Sequence, residues 1–193
     1  MLVAIAAAVL AGCGSMTPDR SPTGIPGALL RQARPIGTGP RFQPPATGPI
    51  TGRCRPTLGP HVGVHVELFA ANRVVIVPAG IGTRPPRTLS AGRISRARCY
   101  GDLVTLEPTG IVLIRTGQRL TLSDLFRSWG QPLSPSRLGP FPAPHHTRVT
   151  VYVGGQHWNR PPADVPLEPH AEIVLEVGPH VPPHTSFTFP PGT

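Results

Sequence analysis

The sequence predicts a mainly β domain of the β-rich α+β class, in which two hairpins form a small sheet or sandwich and one short helix lies near residues 122–129. Three observations lead to this class. The β-branched segments are short and are separated by turns, in a chain with 18 prolines and 13 glycines after residue 60. One of these segments alternates as a hairpin strand does, and a single segment has helical spacing instead.

The clearest strand pattern starts at residue 61. Its apolar residues alternate and therefore share one face of a strand: Val62, Val64, Val66 and Leu68. The opposite face carries His61, Gly63, His65, Glu67 and Phe69. A polar turn at Asn72 and a β-branched run that Pro78 stops come next. Residues 61–82 therefore predict a β-hairpin.

Further strands follow the same logic of β-branched runs bounded by turn residues. The predicted set is Val62–Phe69, Val74–Val77, Leu103–Leu106, Ile111–Arg115, Val149–Val153 and Ile173–Val177. The run that starts at Val149 alternates and turns at Gly154 much as the first hairpin does, which predicts the second hairpin.

One segment has helical rather than alternating spacing. Its apolar residues recur at i, i+3, i+4 and i+7, which places them on one face of a short helix: Leu122, Leu125, Phe126 and Trp129. Thr121 and Asp124 have the spacing of a capping box, and Gly130 suits the C-terminal end. We expect Trp129 to anchor the core rather than to stack on a ligand.

The N-terminus predicts export and lipidation. Residues 1–12 carry no charge and contain an apolar run that fits a secretory signal but is too short to span a bilayer. The sequence Leu10-Ala11-Gly12-Cys13 resembles the bacterial lipobox, in which the cysteine thiolate accepts the lipid and becomes the first residue of the mature protein. We therefore expect a protein that Cys13 anchors to the membrane on the extracytoplasmic side of a bacterial cell envelope.

Composition divides the remainder into two parts. Residues 14–60 hold 10 prolines and 8 glycines and few large apolar residues, so they cannot bury enough surface to offset the entropy of ordering. We predict a lipoprotein signal peptide over residues 1–12, a disordered tether over residues 13–53 and a β-rich extracytoplasmic domain over residues 54–193.

The net charge of +9 does not indicate nucleic-acid binding. All 18 basic residues are arginine, they are scattered along the chain, and no aromatic residues interleave with them. Nucleic acid is therefore not an expected partner. The expected partners are the membrane, through the lipid, and an unidentified component of the envelope.

Cys54 and Cys99 remain once Cys13 is assigned to the lipid. In an oxidising compartment this pair predicts a disulfide that closes a loop of about 46 residues. A redox or metal pair is the alternative, although neither cysteine belongs to a CxxC motif.

The eight histidines raise the question of a metal site. His61 and His65 share a strand face, but positions i and i+4 of a strand lie about 13 Å apart, too far for both rings to reach one ion. This face is more simply interpreted as solvated. The sequence also lacks the GxSxG, HExxH and phosphate-loop motifs, and we expect no catalytic activity.

The order and spacing of several blocks resemble a family of uncharacterised bacterial secreted proteins and lipoproteins with HxHxHLxIFVNG, LHTHDxSG and WGQPL motifs. The matching blocks are His61–Gly82, Cys99-Tyr100, Leu103–Arg115, Thr121–Leu133, Val149–Gly155, Val165–Gly178 and Phe187–Gly192. The resemblance implies a His-rich metal site, of which His61, His65 and His170 remain here. Gly63 replaces the middle histidine of the first motif, and Val104 and Leu106 stand in the block that carries the other two.

These observations predict a lipid-anchored envelope protein whose β-rich domain binds a partner or has a structural role, without a cofactor. The alternative is a metal-binding lipoprotein that holds copper or zinc through His61, His65 and His170.

Overall fold

The computed structural model describes residues 35–193. The predicted signal peptide, Cys13 and the first part of the predicted tether lie outside these residues. The strands in chain order are β1 His61–Ala70, β2 Arg73–Val74, β3 Thr83–Ser90, β4 Arg93–Tyr100, β5 Leu103–Val104, β6 Ile111–Arg115, β7 Leu133–Ser134, β8 Arg137–Leu138, β9 Phe141–Pro142, β10 Thr150–Val153, β11 Gln156–His157 and β12 Glu172–Val177. Helix α1 spans Leu122–Trp129, and short 3-10 turns span Pro40–Phe42 and Pro162–Asp164.

A seven-stranded mixed sheet forms the centre of the domain. Its order is β11-β10-β12-β1-β6-β5, and β2 pairs with β1 as the predicted hairpin. Strand β1 runs parallel to β12, with His65 opposite Glu172, and antiparallel to β6, with His65 opposite Ile111. The predicted strands at Val149–Val153 and Ile173–Val177 are β10 and β12, which pair antiparallel, and β10 also pairs with the short, unpredicted β11. The β-rich α+β class is therefore confirmed.

Both faces of this sheet are covered. The larger core lies between α1 and the face that carries Val64, Val66 and Leu68, as the alternation predicted. A smaller cluster on the opposite face joins β4, β5 and β6 with Phe187 near the C-terminus. The expectation of a solvated face at His61 and His65 is therefore wrong for His65, which is only 5% exposed.

Helix α1 matches its predicted span. The Thr121 backbone N–H donates to Asp124 Oδ2 at 2.9 Å, which completes the capping box, and Gly130 ends the helix at φ 75°. Trp129 is 2% exposed and donates from Nε1 to the Phe42 carbonyl at 2.5 Å, so its predicted role as a core anchor is confirmed.

The antiparallel pair β3–β4, which forms a sheet of its own, was not predicted. Pro85 and Pro86 lie within β3, where the register shifts between Arg84 and Arg87. Proline removes a ladder donor and argues against a strand in sequence reasoning. Two predicted strands are also shorter than expected, since β2 stops at Val74 and β5 stops at Val104.

Residues 35–53, which the sequence analysis assigned to the tether, contact the domain. The Ile36 N–H donates to Val74 O at 2.8 Å, and the Ile76 N–H returns a bond to Ile36 O at 2.8 Å. The Asp102 N–H donates to Thr51 O at 2.7 Å. Backbone pairing of this kind needs no apolar side chains, so composition gave no sign of it.

Cys54 and Cys99 form a disulfide, with their Cα atoms 5.3 Å apart. Next to it, Arg55 and Tyr100 exchange two backbone hydrogen bonds of 2.9 and 2.8 Å. The disulfide thus joins the segment before β1 to the end of β4. Within residues 35–193, every helix falls short of the length and apolarity needed to cross a bilayer.

Candidate metal site on the covered face of the sheet

Three ligand-type side chains meet on the covered face of the sheet. Parallel pairing of β1 with β12 puts His65 opposite Glu172, and Glu67 lies two residues further along β1, on the same face. One ligand atom from each of the three lies within 4.8 Å of the others. Sheet register, rather than a local motif, therefore builds the cluster.

His65 is held by two acceptors. Its Nδ1 donates to Glu172 Oε2 at 2.7 Å, and its Nε2 donates to the Thr109 carbonyl at 3.1 Å. Both ring nitrogens therefore have hydrogen-bond partners, and an ion bound at either nitrogen would replace the hydrogen bond made there. Gly110 allows the close approach of the Thr109 turn, because a Cβ at Gly110 would lie 3.0 Å from His65 Nε2 and its φ is +81°.

Only one of the two carboxylate oxygens of Glu172 has a hydrogen-bond partner among the described residues. The residue is 3% exposed, and while Oε2 accepts from His65, Oε1 is buried without a hydrogen-bond partner among the described residues. A buried acceptor left unpaired costs about 1–3 kcal/mol, and more when it is charged. A hydrogen-bond donor or a cation next to Oε1 would therefore stabilise the folded domain.

A neighbouring carboxylate offers a direct contrast. Glu176 lies four residues further along β12 and is equally buried at 3% exposure. Its Oε1 accepts from His180 Nδ1 at 2.6 Å and its Oε2 accepts from the Val181 N–H at 2.7 Å. Burial raises the pKa of nearby Tyr152 above its usual 10.0, and the charge of Glu176 adds to this effect. Both carboxylate oxygens of Glu176 have hydrogen-bond partners, whereas Oε1 of Glu172 has none within residues 35–193.

The C-terminal segment covers this face. We call residues 179–193 the C-terminal strap; they contain neither helix nor strand. The Phe187 ring stacks on His65 with a centroid distance of 3.7 Å and an interplanar angle of 13°. His184 Nδ1 donates to Glu67 Oε2 at 2.8 Å. The strap therefore touches two of the three clustered residues.

Gly63 makes room for the strap. A Cβ at this position would lie 3.0 Å from a ring carbon of Phe189 and 3.1 Å from Thr193. The end of the strap therefore occupies the space over Gly63, and a side chain at residue 63 would require Phe189 or Thr193 to shift by a few tenths of an ångström.

A cleft of about 120 Å³ lies next to part of the cluster. It is lined by His65 and Glu67, by the turn at Thr109 and by the chain after β2, and Glu172 is not among its lining residues. Small-molecule sites usually enclose about 300–1,000 Å³. The cleft is therefore smaller than a typical organic-ligand site.

Of the three histidines predicted as ligands, only His65 belongs to the cluster. His61 bonds through Nδ1 to the Gly59 carbonyl at 2.9 Å, and His170 bonds through Nε2 to the Thr193 carbonyl at 2.9 Å. The sequence analysis did not name Glu67 or Glu172 as candidate ligands. The alternation of β1 did place Glu67 on the face of His65, whereas the β1–β12 pairing that supplies Glu172 joins residues 107 positions apart.

No family model, curated protein or solved structure matches this chain.

One imidazole nitrogen and two carboxylate oxygens form a ligand set for a divalent transition metal. Imidazole suits zinc and copper, whereas calcium and magnesium prefer six or more oxygen ligands. Zinc bonds of about 2.0–2.2 Å place neighbouring ligand atoms of a tetrahedral site about 3.3 Å apart. The ligand atoms of His65, Glu67 and Glu172 lie within 4.8 Å of one another, so side-chain movements of about 1.5 Å or less would bring them to that spacing.

Proposed function

We propose that this chain is a lipid-anchored protein on the extracytoplasmic side of a bacterial envelope, and that its β-rich domain binds zinc or copper at His65, Glu67 and Glu172. The observation that carries the metal site is the buried, unpaired Oε1 of Glu172 beside two other ligand-type side chains. A bound cation would give this oxygen the partner it lacks.

Two features support the cellular setting. The lipobox-like sequence at Cys13 follows an apolar run without interruption. The Cys54–Cys99 disulfide is typical of proteins that mature outside the reducing cytosol. The covering strap favours binding without catalysis at this cluster, because Phe187 stacks on His65 and His184 bonds to Glu67.

Calorimetric titration of the full-length chain carrying Cys13→Ser, with zinc chloride and separately with copper(II) chloride, tests the metal site. We expect one submicromolar site in this background. Glu172→Gln should weaken it at least about 100-fold, because it removes a charged ligand and losing even a residue outside the ligand set commonly costs 10–100-fold.

Glu176→Gln is the matched control, since Glu176 lies on the same strand, faces the same way and is equally buried. It should change the metal affinity less than about threefold, and circular dichroism should confirm that both variants fold. Equal losses in the two variants would contradict the proposal. Absence of a tight site in the starting protein would return the domain to a metal-free binding or structural role in the envelope.

A further inference from the structure

The strap lies on the candidate site through side chains rather than through a backbone ladder. His180 and the Val181 N–H bond to Glu176, His184 bonds to Glu67, and Phe187 stacks on His65. These contacts are few and local compared with the ladder that holds β12 in the sheet. The strap is therefore held by polar contacts to Glu176 and Glu67 together with the packing of Phe187 on the smaller core cluster.

His184 is the strap histidine that contacts the cluster. Its side chain is 66% exposed, and its Nδ1 lies 2.8 Å from an oxygen of Glu67, which is itself a member of the cluster. An imidazole nitrogen therefore sits one hydrogen bond away from the proposed ligand set. Glu67 thus lies between the buried pair of His65 and Glu172, within 4.8 Å of both, and the exposed His184 ring, to which it is hydrogen-bonded.

We infer that His184 is the fourth ligand of the site and that it selects zinc in a closed, four-coordinate arrangement; this inference rests on the proposed metal site. When the ion binds, His184 Nδ1 gives up its hydrogen bond to Glu67 and bonds to the ion. The ring stays neutral by changing tautomer through water: the Nδ1 proton passes to one water molecule, and Nε2 takes a proton from another. Glu67 turns the freed oxygen toward the same ion.

The resulting set has two imidazole nitrogens and two carboxylate oxygens. Zinc has no preferred geometry from its d electrons and takes four such ligands in a tetrahedron, with all positions filled by protein in structural sites. A site closed by the strap would hold the ion firmly and leave no open position for a substrate. The same bond would fix the strap over the sheet, so metal binding and strap position become one equilibrium.

Three variants of the full-length Cys13→Ser chain separate ligation from packing. His184→Ala removes the nitrogen ligand. His184→Asn keeps a hydrogen-bond donor for Glu67 but offers an amide that zinc binds poorly. His180→Ala is the matched control on the same strap, because His180 bonds to Glu176 outside the cluster.

Zinc chloride is the probe in calorimetry, and hydrogen exchange of residues 179–193 is followed with and without the ion. Both His184 variants should weaken zinc binding at least about 10-fold, the lower limit for loss of a residue that merely supports a ligand. His180→Ala should change it less than about threefold. Zinc should slow exchange of the strap in the starting protein and in His180→Ala, and not in either His184 variant.

Each other outcome overturns the inference in a recognisable way. Zinc affinity unchanged in both His184 variants means that three ligands suffice, and the proposed site stands without this addition. A loss in His184→Ala alone means that a hydrogen bond to Glu67 is all that the residue supplies. An equal loss in His180→Ala means that strap packing controls the affinity. Absence of a zinc site in the starting protein rejects the proposed site and this inference together.

Discussion

Removing the disulfide should lower the free energy of unfolding by about 4 kcal/mol. Cys54 and Cys99 are 45 positions apart, and the chain-entropy relation gives this value at 25 °C for a loop of about 46 residues. The loop contains all of β1, β2 and β3, so the cross-link restricts a large part of the unfolded chain. Because domains are stable by only about 5–15 kcal/mol, the loss would be a large fraction of the total.

Urea unfolding followed by tryptophan fluorescence measures this loss, since Trp129 is buried in the core. The comparison is between Cys13→Ser protein and the same chain with Cys54→Ala and Cys99→Ala. The backbone pair of Arg55 with Tyr100 remains in both, so local structure next to the cross-link is matched.

The reduced Cys13→Ser protein is the second control, because it lacks the covalent bond but keeps both side chains. Its stability should match that of the double alanine variant to within about 1 kcal/mol, and the oxidised protein should exceed both. A difference below about 1 kcal/mol between the oxidised protein and the alanine variant would refute the reasoning from loop closure.

Two further predictions concern the anchor and the core. Cys13→Ser should abolish incorporation of a fatty-acid probe in bacterial cells, because a serine hydroxyl does not replace the thiolate; equal labelling of the two proteins would reject the lipobox interpretation. Leu125→Ala should destabilise the domain by about 2–5 kcal/mol, since Leu125 is fully buried between α1 and the sheet. Leu89→Ala, at a position 65% exposed, is the matched control and should cost less than about 0.5 kcal/mol in the same urea experiment.

Local sequence patterns predicted the strand and the helix whose formation depends on the burial of one face. The alternation in β1 and the i, i+3, i+4 spacing around Leu125 each reflect burial of one face, and each was found where the pattern placed it. The same reasoning failed for β3, because Pro85 and Pro86 are compatible with a strand only where the ladder does not need their N–H groups. A rule based on average strands has no way to identify such positions.

The candidate site was only partly predictable for a related reason. His65 and Glu67 share a face by the period of a strand, and that much follows from the sequence. Glu172 joins them only because β12 lies parallel to β1 in one particular register, which residue types do not specify. The covering of this face is also a long-range event: the turn at Thr109 and Phe187 of the strap both lie against His65, and neither contact follows from the alternation of β1.

The central position of β12 has a consequence for how the domain can form. This strand lies between β1 and β10, and Ile173, Leu175 and Val177 complete the larger core. A nascent chain that has not yet reached Glu172 has β1 and β10 without the strand that separates them. Pairings between such distant residues form slowly, because the chain loses the entropy of closing a long loop before any stabilising contact forms. Under the proposed export of this chain, the central sheet would therefore be completed only after Glu172–Val177 had crossed the membrane.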